Sequence, residues 1–493
     1  MSWYLQPPGD FEDKAKVVIV GSGAGGAMAA CTLAEAGIEV IVVEEGLAYS
    51  REKLGLCDAI MDLYAEAGHR ISTGTPSLPV AGGKALGGST IVNSGLCFRT
   101  PRTTLDEWND LSDGAFADVD AYYATQDAVE EVMRVVDTPD GLLSGNDKAH
   151  RDAARKLGWA EGNIRRNTPT CSGCGQCNNG CPVGGKYSVD RELLPRAVKA
   201  GARVYIGCRV EAMERGQIYG KLVDGGKFSI SGDVIVLSAG SIGTPRLLLD
   251  SGLVQHKHNV GAGLRLQPVI STIAYLPGRR IWTPGATQGH FIDEFVDEGI
   301  LYETNPTIPG GFSALPGHGS DWCGVLSNAG SCAATGGLIR DQTDGRVLRS
   351  RGSGANIHYD MIDADRVRLL ASLRHAARLW FDGAGAEWVF LGLHGAPLCR
   401  SVAEVDEIAS PDTPASRIIT YSSHPQSSCG IGRATDSTGQ LLEVDDVYCI
   451  DASALPSNVG RNPQISVMTV SRILAERLAE RLGGSHKPLT ASS

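Results

Sequence analysis

Four cysteines stand close together in Cys171-Ser-Gly-Cys174-Gly-Gln-Cys177-Asn-Asn-Gly-Cys181-Pro182. The C-x2-C-x2-C-x3-C-P pattern is the spacing of bacterial ferredoxins. Two-residue gaps with small residues in them let successive thiolates wrap one iron–sulfur cluster, and the proline turns the chain away after the fourth. In two-cluster ferredoxins the fourth thiolate serves the other cluster, and this chain has no second run. Cys171, Cys174, Cys177 and Cys181 are therefore candidate ligands of a [4Fe–4S] or [3Fe–4S] cluster, with a structural zinc loop and bare thiols as the competing readings. A second chemistry-bearing stretch is residues 17–46, VVIVGSGAGGAMAACTLAEAGIEVIVVEEG. Gly21 makes a tight turn, Gly23 with Ala24 beside it lets backbone approach a pyrophosphate, and Gly26 lets helix and strand pack closely. Amides at the helix N-terminus face the anion, and Glu44 can accept hydrogen bonds from ribose hydroxyls. A purely structural glycine turn is the bland alternative. The strand, helix, second strand and acidic terminus in register favour a dinucleotide.

The elements that hold these groups are legible in outline. Residues 17–20 and 38–43 read as buried parallel strands joined by an Ala- and Leu-rich helix. A loop over 81–93 carries Gly87, Gly88 and Asn93 and can bring backbone amides against a flat or anionic ligand. Helices are expected over 51–67, 105–160 and 191–199, and strands over 202–206, 210–213 and 234–238. The last strand runs into Ala239-Gly240-Ser241 and a Leu-rich helix, which repeats the first unit and predicts a doubly wound α/β sheet. Over 269–420 short alternating segments predict a second domain of antiparallel sheet with helices. A hairpin is expected at Asp344-Gly345, between 338–339 and 347–348, and a helix over 365–381. The chain then returns to the first style with strand 447–450, Asp451-Ala452-Ser453 and helix 464–482. The expected partition gives 1–104, 166–268 and 421–482 to the dinucleotide unit, 105–165 and 269–420 to the second domain, and 483–493 to a tail.

Composition bounds the function. The 493 residues allow two or three domains, and 42% hydrophobic with 20% charged residues is ordinary for a globular protein. A net charge of −11 argues against nucleic acid as a partner. No apolar run is long enough to span a membrane, and a nucleotide-binding strand begun by Val17 leaves no room for a cleavable signal. The expected compartment is cytoplasmic, where the 13 cysteines stay mostly reduced.

Four separated blocks resemble the glucose–methanol–choline (GMC) oxidoreductases, flavoproteins that mostly oxidise alcohols. They are residues 17–46, the loop GKALGGSTIVNSG at 83–95, GSIGTPRLLLDSGL at 240–253, and the closing block 424–472. Within that family the chain is most similar to the cholesterol-oxidase-like branch, through His424-Pro425 and Arg461-Asn462-Pro463. The family turn HPxGTCxMG reads HPQSSCGIG in this chain, with Ser427, Ser428 and Ile431 in place of Gly, Thr and Met.

The resemblance implies bound FAD, held non-covalently because Val92 stands where some relatives attach it through a histidine. It implies flavin contacts by Gly88 and Asn93, contacts by Val210, Ala239, Asp451 and Ala452, and others by Asn462 and Pro463. The implied reaction is CH–OH oxidation by hydride transfer to flavin N5, with His424 as general base and Asn462 as its partner. A cluster in the cysteine run would pass electrons to a quinone, cytochrome or protein acceptor. Without one, an O2-using alcohol oxidase is the alternative. A flavin-dependent isomerase, lyase or double-bond reductase, and a non-catalytic electron-transfer flavoprotein, are the other readings. The expected substrate is a medium to bulky, largely apolar alcohol, with Trp282, Trp322 and Trp380 as scattered aromatics of the second domain. Core packing explains isolated aromatics equally well.

Overall fold

The computed structural model describes residues 2–49, 56–254, 259–305, 323, 326–350, 352, 354–485 and 487–491. Its first sheet is built on Phe11–Val20, whose last four residues are completely or almost completely buried. Val17–Val20 pair in parallel with Val40–Val43 on one side and with residues 234–237 on the other. Arg203–Tyr205 and Val447–Cys449 extend the parallel part, while Cys208–Glu214 and Gln217–Leu222 add an antiparallel edge. The helices Ala24–Glu35, Leu193–Lys199 and Gln464–Arg481 pack together over this sheet. The first strand starts at Phe11, earlier than its apolar run. Residues 11–15 alternate between more and less exposed positions, a half-exposed edge that a search for continuous apolar sequence passes over.

The second sheet is antiparallel and runs in the order Trp388–Leu391, Val269–Tyr275, Cys332–Ile339, Ile300–Thr304, His290–Ile292, Glu161–Asn163, with Thr420–Tyr421 paired to the second of these. Strand periodicity gives it two unlike faces. Ile300 and Tyr302 enter the core shared with the helices Gly145–Leu157 and Asp363–Arg378, while Leu301 joins Val269 and Leu338 on the opposite face. Glu303 shares the phase of Leu301.

Two expectations change. The strands Cys332–Ile339 and Gly345–Leu348 form no hairpin: the first pairs with Val269–Tyr275 and Ile300–Thr304, the second with Ala262–Leu264 and Asn356–His358 in a separate sheet. Buried carboxylates hold the connection out of a tight turn, because Asp365 accepts from the amides of Gln342 and Thr343. The stretch 105–165 also divides. Leu105, Trp108 and Val129 belong to the first core and Ala149, Ala153 and Ala154 to the second, since Val119–Val132 packs on the closing helix Gln464–Arg481. Helical periodicity says which face is buried, never against what. Trp380 is buried in the second core, with its indole N–H donated to Thr272, and Trp282 packs at the edge of that core. Trp322 and the beginning of the expected 51–67 helix lie outside the described residues, of which Leu56–Leu63 is helical. Among the described residues no helix is long and apolar enough to cross a membrane.

Candidate active site

The turn after the first strand opens a cavity of about 840 Å³. Gly21 has φ +102°, in the left-handed region, and a Cβ there would overlap Ser238 O. Gly23 precedes the helix Ala24–Glu35 with no side-chain cap, so the helix N-terminal amides face the cavity that Gly23 and Ala24 line. Gly26 does not line it. A Cβ at Gly26 would overlap Gly21 O, so its role is helix–strand contact. Glu44 borders the cavity, yet its carboxylate already accepts from Ser22 N (3.0 Å), Ser22 Oγ (2.6 Å) and Gly46 N (2.8 Å). Burial raises its pKa, with those bonds opposing. Gly87 also stays off the wall, donating its amide to Ser22 Oγ at 2.9 Å, whereas Gly88 and Asn93 line it. Val210, Ala239 and Ala452 are wall residues too. Asp451 lines the cavity and also acts as a cap, accepting from Gly240 N, Thr244 Oγ1 and Ser453 N at 2.7 Å each.

At another part of the same cavity stand His424, Asn462 and Pro463. The turn bearing His424 is stitched on both sides, by Gln426 to Arg265 and by the Ser427 and Cys429 amides to the Ala452 and Ser453 carbonyls. Ser427 has φ +73°, so the turn keeps the left-handed residue that the family glycine would supply. Gln267, fully buried, fixes the imidazole. The Arg461 backbone orients its amide: Gln267 accepts from Arg461 N at 3.2 Å and donates to Arg461 O at 3.1 Å and to His424 Nδ1 at 2.9 Å. An Nδ1 that accepts leaves the neutral ring with its hydrogen on Nε2. Protein surrounding the ring pushes its pKa down to about 4, so it is neutral at pH 7. Asn462 Nδ2 lies 3.3 Å from His424 Nε2. Two donors thus converge where an acceptor oxygen would satisfy both.

Glu303 completes the group. Its Oε2 accepts from Gln288 Nε2 at 3.1 Å and lies 3.4 Å from Asn462 Nδ2, while its buried Oε1 has no partner among the described residues. Burial pushes its pKa up to about 7, against Asn462, Arg461 and Gln288. Val269, Leu338 and Tyr421 give this end apolar walls.

The cysteine run does not gather a metal site. Among the described residues no three His, Cys, Asp or Glu side chains converge to hold an ion. Cys171 accepts from the amide of Gly173, Cys174 is exposed, Cys177 accepts from Arg166 Nη2 at 3.1 Å, and Cys181 accepts from Lys186 N at 3.3 Å. Left-handed Gly173, Gly175 and Gly180 wind the loop so that the four sulfurs meet different partners. An iron–sulfur cluster or zinc does not fit this arrangement, and no step runs through one.

Models of the GMC oxidoreductase family match residues 60–269 and 343–471, and an FAD binding domain model matches 14–78. A GMC-type oxidoreductase of Mycobacterium tuberculosis strain H37Rv, itself uncharacterized, is 35% identical over 486 residues, covering 96% of this chain and 77% of that protein. This chain belongs to the GMC oxidoreductases. A long-chain-alcohol oxidase of Arabidopsis thaliana is 29% identical to this GMC oxidoreductase over 531 residues, covering 96% of this chain and 69% of the plant protein. Among solved structures, pyridoxine 4-oxidase from Mesorbium loti superposes with a TM-score of 0.68 at 17% identity, over 94% of this chain and 99% of that one. A formate oxidase superposes at 0.71 and 13%, over 95% and 99%. Identities this low show the fold alone. None of these relatives is named a cholesterol oxidase, so the finer branch rests on the motif residues only.

FAD fits the cavity of this GMC oxidoreductase. Uncapped helix amides suit a diphosphate, the space around Gly23 is open, and unpartnered polar atoms of Glu303 and Asn462 remain at the His424 end. Of the residues expected from the sequence, His424, Asn462 and most of the others line this cavity, while Gly26 and Gly87 do not. Glu303, Gln267 and Gln288 belong to no motif and are not among them. The signal for Glu303 was a carboxylate in the strand sequence ILYET, two positions from Leu301 and so on the same face.

Proposed function

We propose that this GMC oxidoreductase oxidises the CH–OH group of a medium-sized, largely apolar alcohol, with O2 as the electron acceptor. The observation that carries this reading is the convergence of the His424 and Asn462 donors beside a carboxyl of raised pKa whose Oε1 has no partner among the described residues, inside the dinucleotide cavity. FAD, held non-covalently past Val92, supplies the hydride acceptor when bound. His424 Nε2–H and Asn462 Nδ2–H hold the alcohol oxygen and stabilise negative charge developing there. Gln267 keeps the imidazole in that tautomer. Glu303 takes the hydroxyl proton, its pKa matched to neutral pH, which moves the general-base role from His424 to the carboxylate. Val269, Leu338 and Tyr421 exclude water from one side of the carbon being oxidised. O2 is favoured as the acceptor because the plant relative is named an oxidase.

The test is anaerobic mixing with straight-chain and cyclic alcohols, read as loss of flavin absorbance, followed by air and a peroxide assay. His424→Ala is expected to keep FAD and slow flavin bleaching by about 10²–10³-fold, the usual worth of a donor to a developing oxyanion. Bleaching at the parent rate would remove His424 from the site. Product formed with neither bleaching nor peroxide would replace oxidation by an isomerase or lyase reaction.

A further inference from the structure

Behind the cavity wall at 91–94 lie two buried cations, Lys186 and Arg166. Lys186 Nζ donates to Ile91 O at 2.8 Å, Asn93 O at 2.6 Å and Cys177 O at 3.0 Å, and lies 3.3 Å from Asn93 Oδ1. Arg166 donates through Nε and Nη2 to Ser94 O at 3.1 and 2.6 Å and through Nη2 to Cys177 Sγ, while its buried Nη1 has no partner among the described residues. Val92, Asn93 and Ser94 all line the cavity. Asn93 also donates its amide to Gln464, two residues after Asn462, which fixes this wall at the His424–Asn462 end. Asn178, next to Cys177, ties the cysteine loop to the same wall through Val92 O at 2.8 Å. The cysteine loop, where no metal site gathers, therefore touches both cations through Cys177, by its carbonyl to Lys186 and by its sulfur to Arg166.

Burying two cations is costly, and apolar residues of similar size would pack such a wall with less penalty. Fixed positive charge near a flavin ring tunes its electronics. We propose that Lys186 and Arg166 form an electrostatic seat behind the flavin-facing wall, favouring the negative charge that FAD gains on accepting a hydride and thereby setting how readily it is reduced. They are positioning residues, since neither touches the substrate end directly. The inference rests on the reading that the isoalloxazine occupies the His424–Asn462 end.

The experiment is a sulfite titration of FAD-loaded protein, read by bleaching of the flavin band, with the flavin midpoint potential measured in parallel. Parent, Lys186→Gln, Arg166→Gln and the charge-keeping Lys186→Arg are compared. Each Gln variant keeps a hydrogen-bond donor and loses the charge. Both are expected to bind sulfite about tenfold more weakly and to move the potential negative, the scale of one unit charge at the effective dielectric of a protein interior. Lys186→Arg stays near the parent. Yellow Gln variants with the parent's sulfite affinity and potential would overturn the inference alone. Loss of FAD shared by Lys186→Gln and Lys186→Arg would also overturn it, making Lys186 a structural prop. A parent protein that takes up no FAD would instead overturn the functional reading beneath it.

Discussion

A group that titrates near 4 is too weak a base to hold a proton taken up at pH 7, whereas one that titrates near 7 can both accept and release it. His424 is the first kind and Glu303 the second, and the proposed reaction therefore gives the proton to the carboxylate. Flavin reduction by alcohol should therefore rise with pH through about 7 and level above it. In Glu303→Gln that inflection should vanish and the rate fall by about 10²-fold, as stopped-flow traces across pH 5–9 (~) would read. Stability gives an independent reading of the same group. A carboxyl whose folded pKa is raised binds its proton more tightly in the folded than in the unfolded state. Its contribution is complete below the ordinary value of 4.5 and is lost as pH rises towards about 7. Glu303→Gln should accordingly be more stable than the parent above that window, by on the order of 3 kcal/mol in denaturant unfolding, and gain little below it. At this scale the histidine and the asparagine were readable in the sequence because their neighbours form a motif. Glu303 and Gln267 were not, because their roles depend on which strand or loop lies opposite, and that is decided by pairing far along the chain.

Glycines of one motif do different work once the element they sit in is known. Gly26 has Gly21 O where its side chain would be, while Gly23 has open cavity. Gly26→Ala should push the helix off the strand and cost about 1–3 kcal/mol, lowering the melting temperature with or without FAD. Gly23→Ala should fold like the parent and lose FAD affinity, read by flavin fluorescence on dilution. The turn at Ser427 carries the reverse case, a side chain where left-handed backbone favours none. Ser427→Gly should raise stability by about 1 kcal/mol in equilibrium unfolding with the FAD content unchanged. The nucleotide unit was legible at this scale because its signals are local: apolar run, glycine turn, helix, acidic end. The Asp344-Gly345 hairpin was misread for the converse reason. Dipeptide preference is a local quantity, and it was outweighed by sheet pairing with residues 262–264 on one side and 269–275 on the other.

The site is assembled from both units, so something must hold them in register. Asp341 is placed to do this. It follows Cys332–Ile339 of the second sheet, and its buried carboxylate accepts from Leu266 N and Gln267 N at 3.0 Å each, from Tyr359 Oη at 2.8 Å, and from Asn458 Nδ2. Gln267 sets the His424 tautomer, and Asn458 stands four residues before Asn462. One carboxylate thus links the residue that orients the imidazole to the segment that carries the carboxamide. Burial and the nearby Asp365 raise its pKa, while the bonds it accepts pull the other way. Removing it strands buried donors, each costing about 1–3 kcal/mol. Asp341→Ala should therefore lose at least about 3 kcal/mol in denaturant unfolding. Two separate packing units joined only by contacts elsewhere would predict a smaller loss and an undisturbed site. A carboxylate that sets the register predicts more: the stable remainder of Asp341→Ala should still bind FAD through the glycine turn, yet reduce it as slowly as His424→Ala. FAD affinity and the rate of bleaching by alcohol, measured on the same preparation, separate the two.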